Sequence, residues 1–304
     1  MRRRISQFTA ALILNPFLPN LLRGRIHQGP LKHVCVPALN CYSCPAAFGA
    51  CPVGSLQVAL VTVRGWLGGL AAGAAAAAGL YVGGVILLAG AVGGRFACGW
   101  ICPFGLLQEL LFVRRAARGA HLPAGARSLK YALLVVLVIG LPLALPYPST
   151  PNFCKYVCPA GTVEAGVPLV AHDKAAGRGA FDIGGLFAWK AALAAGIFVG
   201  MLFISRFFCR IFCPLGAAWG LFNRVSLLAM EVDRSRCDLC GFCRAVCPVD
   251  ISIYADPDSA ECVRCFKCTS CPQGAVRIVL RPPRRAVEKS VRARDGAAGE
   301  EKHD

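Results

Sequence analysis

Acidic residues are scarce: the 304-residue chain has 16 Asp and Glu, and only 4 of them precede residue 230. Histidine occurs 5 times and methionine 3 times. No Asp, Glu or His falls inside the apolar runs described below. Ionisable groups within a membrane normally mark proton or ion paths, so a pump or secondary transporter lacks its chemistry here. The same shortage leaves no bis-histidine haem site in those runs. A nucleophile paired with a base, a phosphate-binding loop and a dinucleotide fingerprint are all missing, which argues against a free-standing catalytic centre.

Charge is also low. Charged residues make up 16% of the chain against 56% hydrophobic, and mean hydropathy is +0.56, too apolar for a soluble protein of this length. The net charge of +17 is unevenly spread. Residues 1–229 carry 20 Lys and Arg against 4 acids, residues 230–280 carry 6 against 7, and the remainder 7 against 5. Basic excess at the ends of apolar stretches reads as positive-inside topology, not as a nucleic-acid footprint. Lipid is the expected partner, and nucleic acid is not.

Four stretches are candidate spans, each needing about 20 mainly apolar residues. The first is Ile5–Leu22, read as an uncleaved anchor with its N-terminus inside. The second lies in the 39-residue run Ser55–Gly93, whose second half, Ala74–Val92, is the better span and whose first half reads as interfacial or re-entrant. Leu129–Leu145 and Leu186–Ser205 complete the set. The basic residues of 95–130 then belong inside and the balanced segment 147–185 outside. Arg23, Arg25 and Lys32 sit on the wrong side of this scheme.

Cysteine is abundant, at 18 residues, and regularly spaced. Arg95-Phe-Ala-Cys98-Gly-Trp-Ile-Cys102-Pro-Phe-Gly105 recurs 111 residues later as Arg206-Phe-Phe-Cys209-Arg-Ile-Phe-Cys213-Pro-Leu-Gly216. Cys154-x3-Cys158-Pro-Ala-Gly161 is a third copy. Cys51-Pro-Val-Gly54, preceded by Cys35, Cys41 and Cys44, is a partial fourth. The chain is therefore a duplicated unit, and repeats in membrane proteins build sites where the copies meet. Cysteines four apart share one helical face, and proline suits the first turn of a following helix. That helix, from Phe104 to Arg115, reads as amphipathic and interfacial. Cys98, Cys102, Cys209 and Cys213 are expected to form one four-thiolate site at the inner face. Cys154 and Cys158, with two of Cys41, Cys44 and Cys51, are expected to form another at the outer face. A further iron–sulfur cluster, copper, disulfides outside and redox dithiols inside all remain open for these sites.

After Met230 the sequence turns polar. Cys237-x2-Cys240-x2-Cys243-x3-Cys247-Pro is a complete bacterial four-iron ligand run, and Cys262-x2-Cys265-x2-Cys268-x2-Cys271-Pro follows it. The fourth cysteine of each run ligates the other cluster, so Cys237, Cys240, Cys243 and Cys271 are assigned to one [4Fe–4S] cluster. Cys262, Cys265, Cys268 and Cys247 are assigned to the second. Zinc is the alternative, but the spacing is poor for a zinc ribbon. Cys268 to Cys271 is one residue shorter than usual, which makes Cys271 the weakest assignment. The fold expected is mainly α: polytopic membrane helices, about four spans, over residues 1–229. An α+β two-cluster ferredoxin domain follows at 230–280, then a disordered tail at 281–304.

With these motifs assembled, residues 1–280 resemble the membrane-bound polyferredoxins of the NapH, MauN and NosR type. The resemblance implies a multi-pass protein of the bacterial inner membrane with its ferredoxin domain in the cytoplasm. It also implies electron transfer between a cytoplasmic or quinone donor and membrane or periplasmic acceptors, with protein redox partners on either side. Alternatives are a cupric or ferric reductase serving metalloenzyme assembly and a structural subunit of a respiratory complex. The outer cysteines, Cys35 to Cys51 with Cys154 and Cys158, depart from the family pattern.

Overall fold

The computed structural model describes residues 2–67, 72–113, 122–145, 150–177, 179 and 183–281. The tail expected to be disordered lies outside these residues apart from Arg281.

Two described helices are long and apolar enough to cross a bilayer by length and composition, Gly125–Ala144 and Gly185–Phe203, of 20 and 19 residues. At about 1.5 Å per residue each matches a hydrocarbon core of about 30 Å. The first is π-wound over Leu134–Gly140, just ahead of Pro142. Proline removes an N–H and crowds the preceding turn, and wider winding there relieves both. The long apolar run divides into two helices, Pro52–Leu67 and Ala72–Gly93, which pack against each other. Its apolar stretches, Pro52–Val63 and Ala77–Gly93, are shorter than the two spans.

The stretch expected to be the first span is not one helix. Arg2–Leu14 is helical, the helix stops at Asn15-Pro16, and a five-residue helix Pro19–Arg23 follows. Neither Pro16 nor Pro19 can occupy a helix interior, and 13 residues reach only about 20 Å. Lys32, which conflicted with the charge rule, is buried. Its Nζ donates to the carbonyls of Cys44 at 3.1 Å and Ala47 at 2.8 Å, so its charge clamps a turn.

Each complete cysteine motif builds the same local shape. A one-turn helix carries the first cysteine: Phe96–Trp100, Asn152–Tyr156 and Phe207–Ile211. In the inner pair the second cysteine is extended, with ψ of 117° at Cys102 and 108° at Cys213. Proline then starts a new helix at Pro103–Leu111 and Pro214–Phe222. The residue before a proline is driven out of the helical region, so the two cysteines do not share a helical face as the spacing suggested. They converge across a helix break instead. The helix Pro103–Leu111 is also less interfacial than expected, since Phe104, Gly105, Leu106 and Gln108 are buried.

At the C-terminus, strand β1 (Leu228–Val232) pairs antiparallel with β2 (Val276–Leu280), Leu228 opposite Leu280. One contiguous core runs from Cys51 and Phe153 through Phe104, Cys98 and Trp219 to Met230 and Val263. The membrane-type helices and the C-terminal unit therefore share packing.

Candidate metal centres

The two copies of the inner motif meet. Cys98, Cys102, Cys209 and Cys213 are all buried and lie within electrostatic reach of one another. A hydrogen bond from the Cys213 thiol pulls Cys209 down to about 6 against the cost of burial, helped by Arg206, Gln108 and Arg95. Burial raises Cys98, and raises Cys102 to about 12. Gln108 embraces Cys209: its Nε2 donates to Sγ at 3.0 Å and its Oε1 accepts from the backbone N–H at 3.3 Å. Two fully buried guanidiniums flank the thiols. Arg95 donates to the Cys209 carbonyl and pairs with Glu261, which also binds Lys130. Arg206 donates to the Cys98 carbonyl and pairs with Glu109, which also binds Arg3. Buried cations beside four thiols suit a site that carries negative charge when occupied.

The structure brings four of the outer cysteines to one cavity. Cys41, Cys51, Cys154 and Cys158 line one largely apolar cavity of 590 Å³. Gly54 and Gly161, the glycines of the two outer motifs, face it. A β-carbon on Gly54 would stand 3.6 Å from Cys154 Sγ, and one on Gly161 3.7 Å from Cys41 Sγ. Gln57 donates through Nε2 to Cys154 Sγ at 3.5 Å and accepts the Phe153 N–H at 2.9 Å. Glu164 accepts the Cys41 N–H at 2.8 Å, and burial lifts its carboxyl to about 7. Cys44 does not line this cavity; it packs with Ala46 and Ala47 and stands 3.9 Å from Asn15 Oδ1. Cys35 bonds Ser55, and burial raises it to about 11.

In the C-terminal unit, Cys247, Cys262, Cys265 and Cys268 line one small cavity together with Cys243. Cys240 lies beside Cys271, and a 3.0 Å bond from Gln273 to Asp238 ties their turns together. Among the described residues no group of three or more His, Cys, Asp or Glu side chains is arranged to hold a single metal ion. A cubane takes its thiolates at separate corners, and the all-cysteine quartets fit that group better than a tetrahedral zinc.

The C-terminal unit packs against the residues flanking the inner quartet. Trp100 Nε1 donates to the Arg264 carbonyl at 3.0 Å, and Asn223 Nδ2 donates to the Cys262 carbonyl at 2.8 Å. Phe266 packs on Trp100 with ring centroids 5.8 Å apart. A β-carbon on Gly99 would overlap the Val263 carbonyl oxygen, so glycine is required there for the loop to approach.

Gln57, Gln108 and Glu164 were not picked out from the sequence. Each stands six residues after the second cysteine of its motif, Cys51, Cys102 and Cys158, and each reaches a cysteine or cysteine neighbour of another copy. The signal was present as an extension of the repeated phrase to Cys-Pro-x-Gly-x2-Gln/Glu. Trp219 holds the equivalent place after Cys213 and donates to the Ile86 carbonyl at 3.1 Å.

A family model described as a 4Fe–4S binding domain matches residues 75–121, 131–168 and 187–230, and another of the same description matches 230–251. An uncharacterised protein of Methanocaldococcus jannaschii is 32% identical over 201 residues, covering 63% of this chain and 75% of its own length. The ferredoxin-type protein NapH of Escherichia coli is 26% identical over 287 residues, 89% of each chain. The methylamine utilization ferredoxin-type protein MauN of Paracoccus denitrificans is 30% identical over 159 residues, 52% of this chain and 49% of that one. Against MauN and several other curated relatives, the matched stretch is less than two thirds of the relative's length. No solved structure matches.

Proposed function

Since the chain belongs to the NapH/MauN-type family of 4Fe–4S polyferredoxins, we propose that it is a membrane-embedded electron conduit joining four cysteine quartets in series. Iron–sulfur electron transfer is the activity its relatives indicate. The route and direction are our reading. Clusters held by Cys237, Cys240, Cys243 and Cys271 and by Cys247, Cys262, Cys265 and Cys268 would form the cytoplasmic end. Cys98, Cys102, Cys209 and Cys213 would hold the next group, and Cys41, Cys51, Cys154 and Cys158 the outermost. A [4Fe–4S] cluster at each site supplies one-electron chemistry when bound.

One observation supports the series above all. The backbone N–H of Leu39 acts on the Cys102 thiol so as to favour its thiolate, and that of the next residue, Asn40, acts in the same way on Cys51. Two adjacent peptide units thus influence a member of the inner quartet and a member of the outer one. A bilayer core of about 30 Å is long for one electron hop, and the inward dip of this loop shortens it. The chain's own residues provide the rest. Arg95 and Arg206 offset thiolate charge, Gln57 and Gln108 orient cysteines, and the apolar walls exclude water. The two apolar helices support placement in a cytoplasmic membrane with the C-terminal unit inside, where the basic residues lie. The partners are proposed to be a redox protein docking on the near-neutral C-terminal unit, and a quinone or periplasmic acceptor beyond it.

The deciding measurement is iron and acid-labile sulfide per chain on anaerobically purified, detergent-solubilised protein, with EPR of the reduced state. Four cubanes give about sixteen irons. About eight, the content of two cubanes, would confine redox chemistry to the C-terminal unit and end the conduit reading.

A further inference from the structure

The inner motifs differ at one telling position. Where the first copy has Gly99, the second has Arg210, 111 residues on. Arg210 is 3% exposed, and its Nε and Nη2 are buried without a hydrogen-bond partner among the described residues. A buried guanidinium with unpaired N–H groups is costly, and an anion accepting from them would offset that cost.

Arg210 lines a cleft of 980 Å³ between the inner ends of the apolar helices and the C-terminal unit. Arg4, Arg244 and Lys267, all exposed, line the same cleft. Its carboxylates are already engaged: Glu109 by Arg3 and Arg206, and Asp250 by Arg244 at 2.9 Å. Phe112 and Phe203 form an apolar wall, Phe203 being the last residue of the Gly185–Phe203 helix. Cations and phenyl rings lining one cleft, at the end of a membrane-type helix, match an anion attached to a hydrocarbon chain. Guanidiniums take phosphate oxygens through paired N–H groups, and basic pockets on the cytoplasmic side of membrane helices hold anionic headgroups.

We propose that this cleft binds the phosphate headgroup of an anionic glycerophospholipid, with Arg210 as its buried anchor and Arg4, Arg244 and Lys267 around it. The inference rests on the membrane placement proposed above. Cys247 and Pro248 line the same cleft, so the bound lipid fastens the C-terminal unit to the membrane surface beside one of its cysteine sites.

The test uses the full-length chain, purified anaerobically, stripped of lipid in detergent and titrated with phosphatidylglycerol. Phosphatidylcholine and inorganic phosphate serve as the comparison ligands, and native mass spectrometry reads the adducts. One phosphatidylglycerol should bind saturably and in preference to phosphatidylcholine. Arg210→Gln should weaken it by about tenfold or more, and Arg4→Gln and Lys267→Gln by about fivefold each. The last two alter exposed side chains, so they keep the test intact if Arg210→Gln fails to fold. Equal binding of the two lipids, or wild-type affinity in Arg4→Gln and Lys267→Gln, would overturn the proposal. Displacement by inorganic phosphate, with no preference for the lipid, would make this a free-anion site and overturn the lipid assignment. Alkaline carbonate extraction of native membranes is read separately. Release of the chain would overturn the membrane placement itself, whereas retention with no lipid preference would overturn this inference alone.

Discussion

Arg95 and Arg206 each hold the other's motif: Arg95 Nη2 donates to the Cys209 carbonyl at 3.1 Å, and Arg206 Nη1 donates to the Cys98 carbonyl at 2.7 Å. The two residues are equivalent in the repeat, and so are the glycines that let them pass. A β-carbon on Gly216 would stand 2.8 Å from Arg95 Nη2, and one on Gly105 3.3 Å from Arg206 Nη1. Pseudo-twofold exchange of this kind assembles four cysteines from two half-sites. Arg206→Gln removes one arm and leaves Glu109 with Arg3 alone. Breaking a buried ion pair costs about 3–5 kcal/mol, so thermal unfolding of the detergent-solubilised protein should fall markedly. Arg206→Lys should not restore it, because an ammonium cannot reach Glu109 and the Cys98 carbonyl with one planar fork.

Gln108 gives Cys209 a donor at 3.0 Å from an amide that is fully buried. Hydrogen bonds to cluster-ligating sulfur favour the more reduced, more negative state and raise the potential. Gln108→Leu should lower the midpoint of one EPR signal by about 60 mV, a tenfold change for a one-electron couple. Gln57→Leu should shift a different signal, and by less, because its contact is longer at 3.5 Å. Shifts of the same signal in both variants would sink the division into inner and outer sites.

The repeat, the four-iron ligand runs and the grouping of Cys98, Cys102, Cys209 and Cys213 could be read from spacing, because motif copies are local strings whose meeting the symmetry dictates. That Cys41 and Cys51, not Cys44, line the outer cavity could not. It depends on Lys32 folding the 41–47 turn inward, a contact between residues with no shared pattern. The break in the first apolar stretch is hidden from the sequence for a local reason: hydropathy averages over Pro16 and Pro19, while a helix cannot. Gln57, Gln108 and Glu164 escaped notice because a single polar residue in an apolar helix has the same composition whether it faces solvent or a thiol.

Gly99 is where the C-terminal loop rests on the first motif. A β-carbon there meets the Val263 carbonyl, which is backbone and cannot swing aside. Gly99→Ala should leave the C-terminal clusters assembled, with an unchanged iron–sulfur EPR spectrum, but slow their electron exchange with the inner site. Stopped-flow reduction should separate into two phases. A single phase at the wild-type rate would mean that this contact does not carry the transfer.

Acid should loosen the Arg3–Glu109–Arg206 junction in a defined window. Burial alone would raise the Glu109 carboxyl, but Arg206 and Arg3 hold it at about 2 against an ordinary 4.5. A depressed carboxyl contributes its full stability above the ordinary value and loses it as pH falls toward the folded one. Unfolding temperature should therefore drop between pH 4.5 and about 2 in the wild type. In Glu109→Gln that part of the drop should be absent, from a lower starting stability at pH 7. Identical acid profiles for the two proteins would count against the junction.

The outer site makes the sharpest demand on individual cysteines. Cys41 and Cys51 line the 590 Å³ cavity with Cys154 and Cys158, whereas Cys44 packs behind it and Cys35 bonds Ser55. A cubane that loses one of four thiolates usually fails to assemble, so Cys41→Ser and Cys51→Ser should each lower the iron content by about four per chain. Cys44→Ser and Cys35→Ser should leave the iron count and EPR unchanged. These two variants control for general damage to the 35–51 loop, because each removes a sulfur from the same segment. If Cys44→Ser lost iron and Cys41→Ser kept it, the turn held by Lys32 would be presenting the other cysteine to the site. If all four variants kept wild-type iron, the outer cysteines would be thiols without a cluster. The inner quartet would then be the last station on the route.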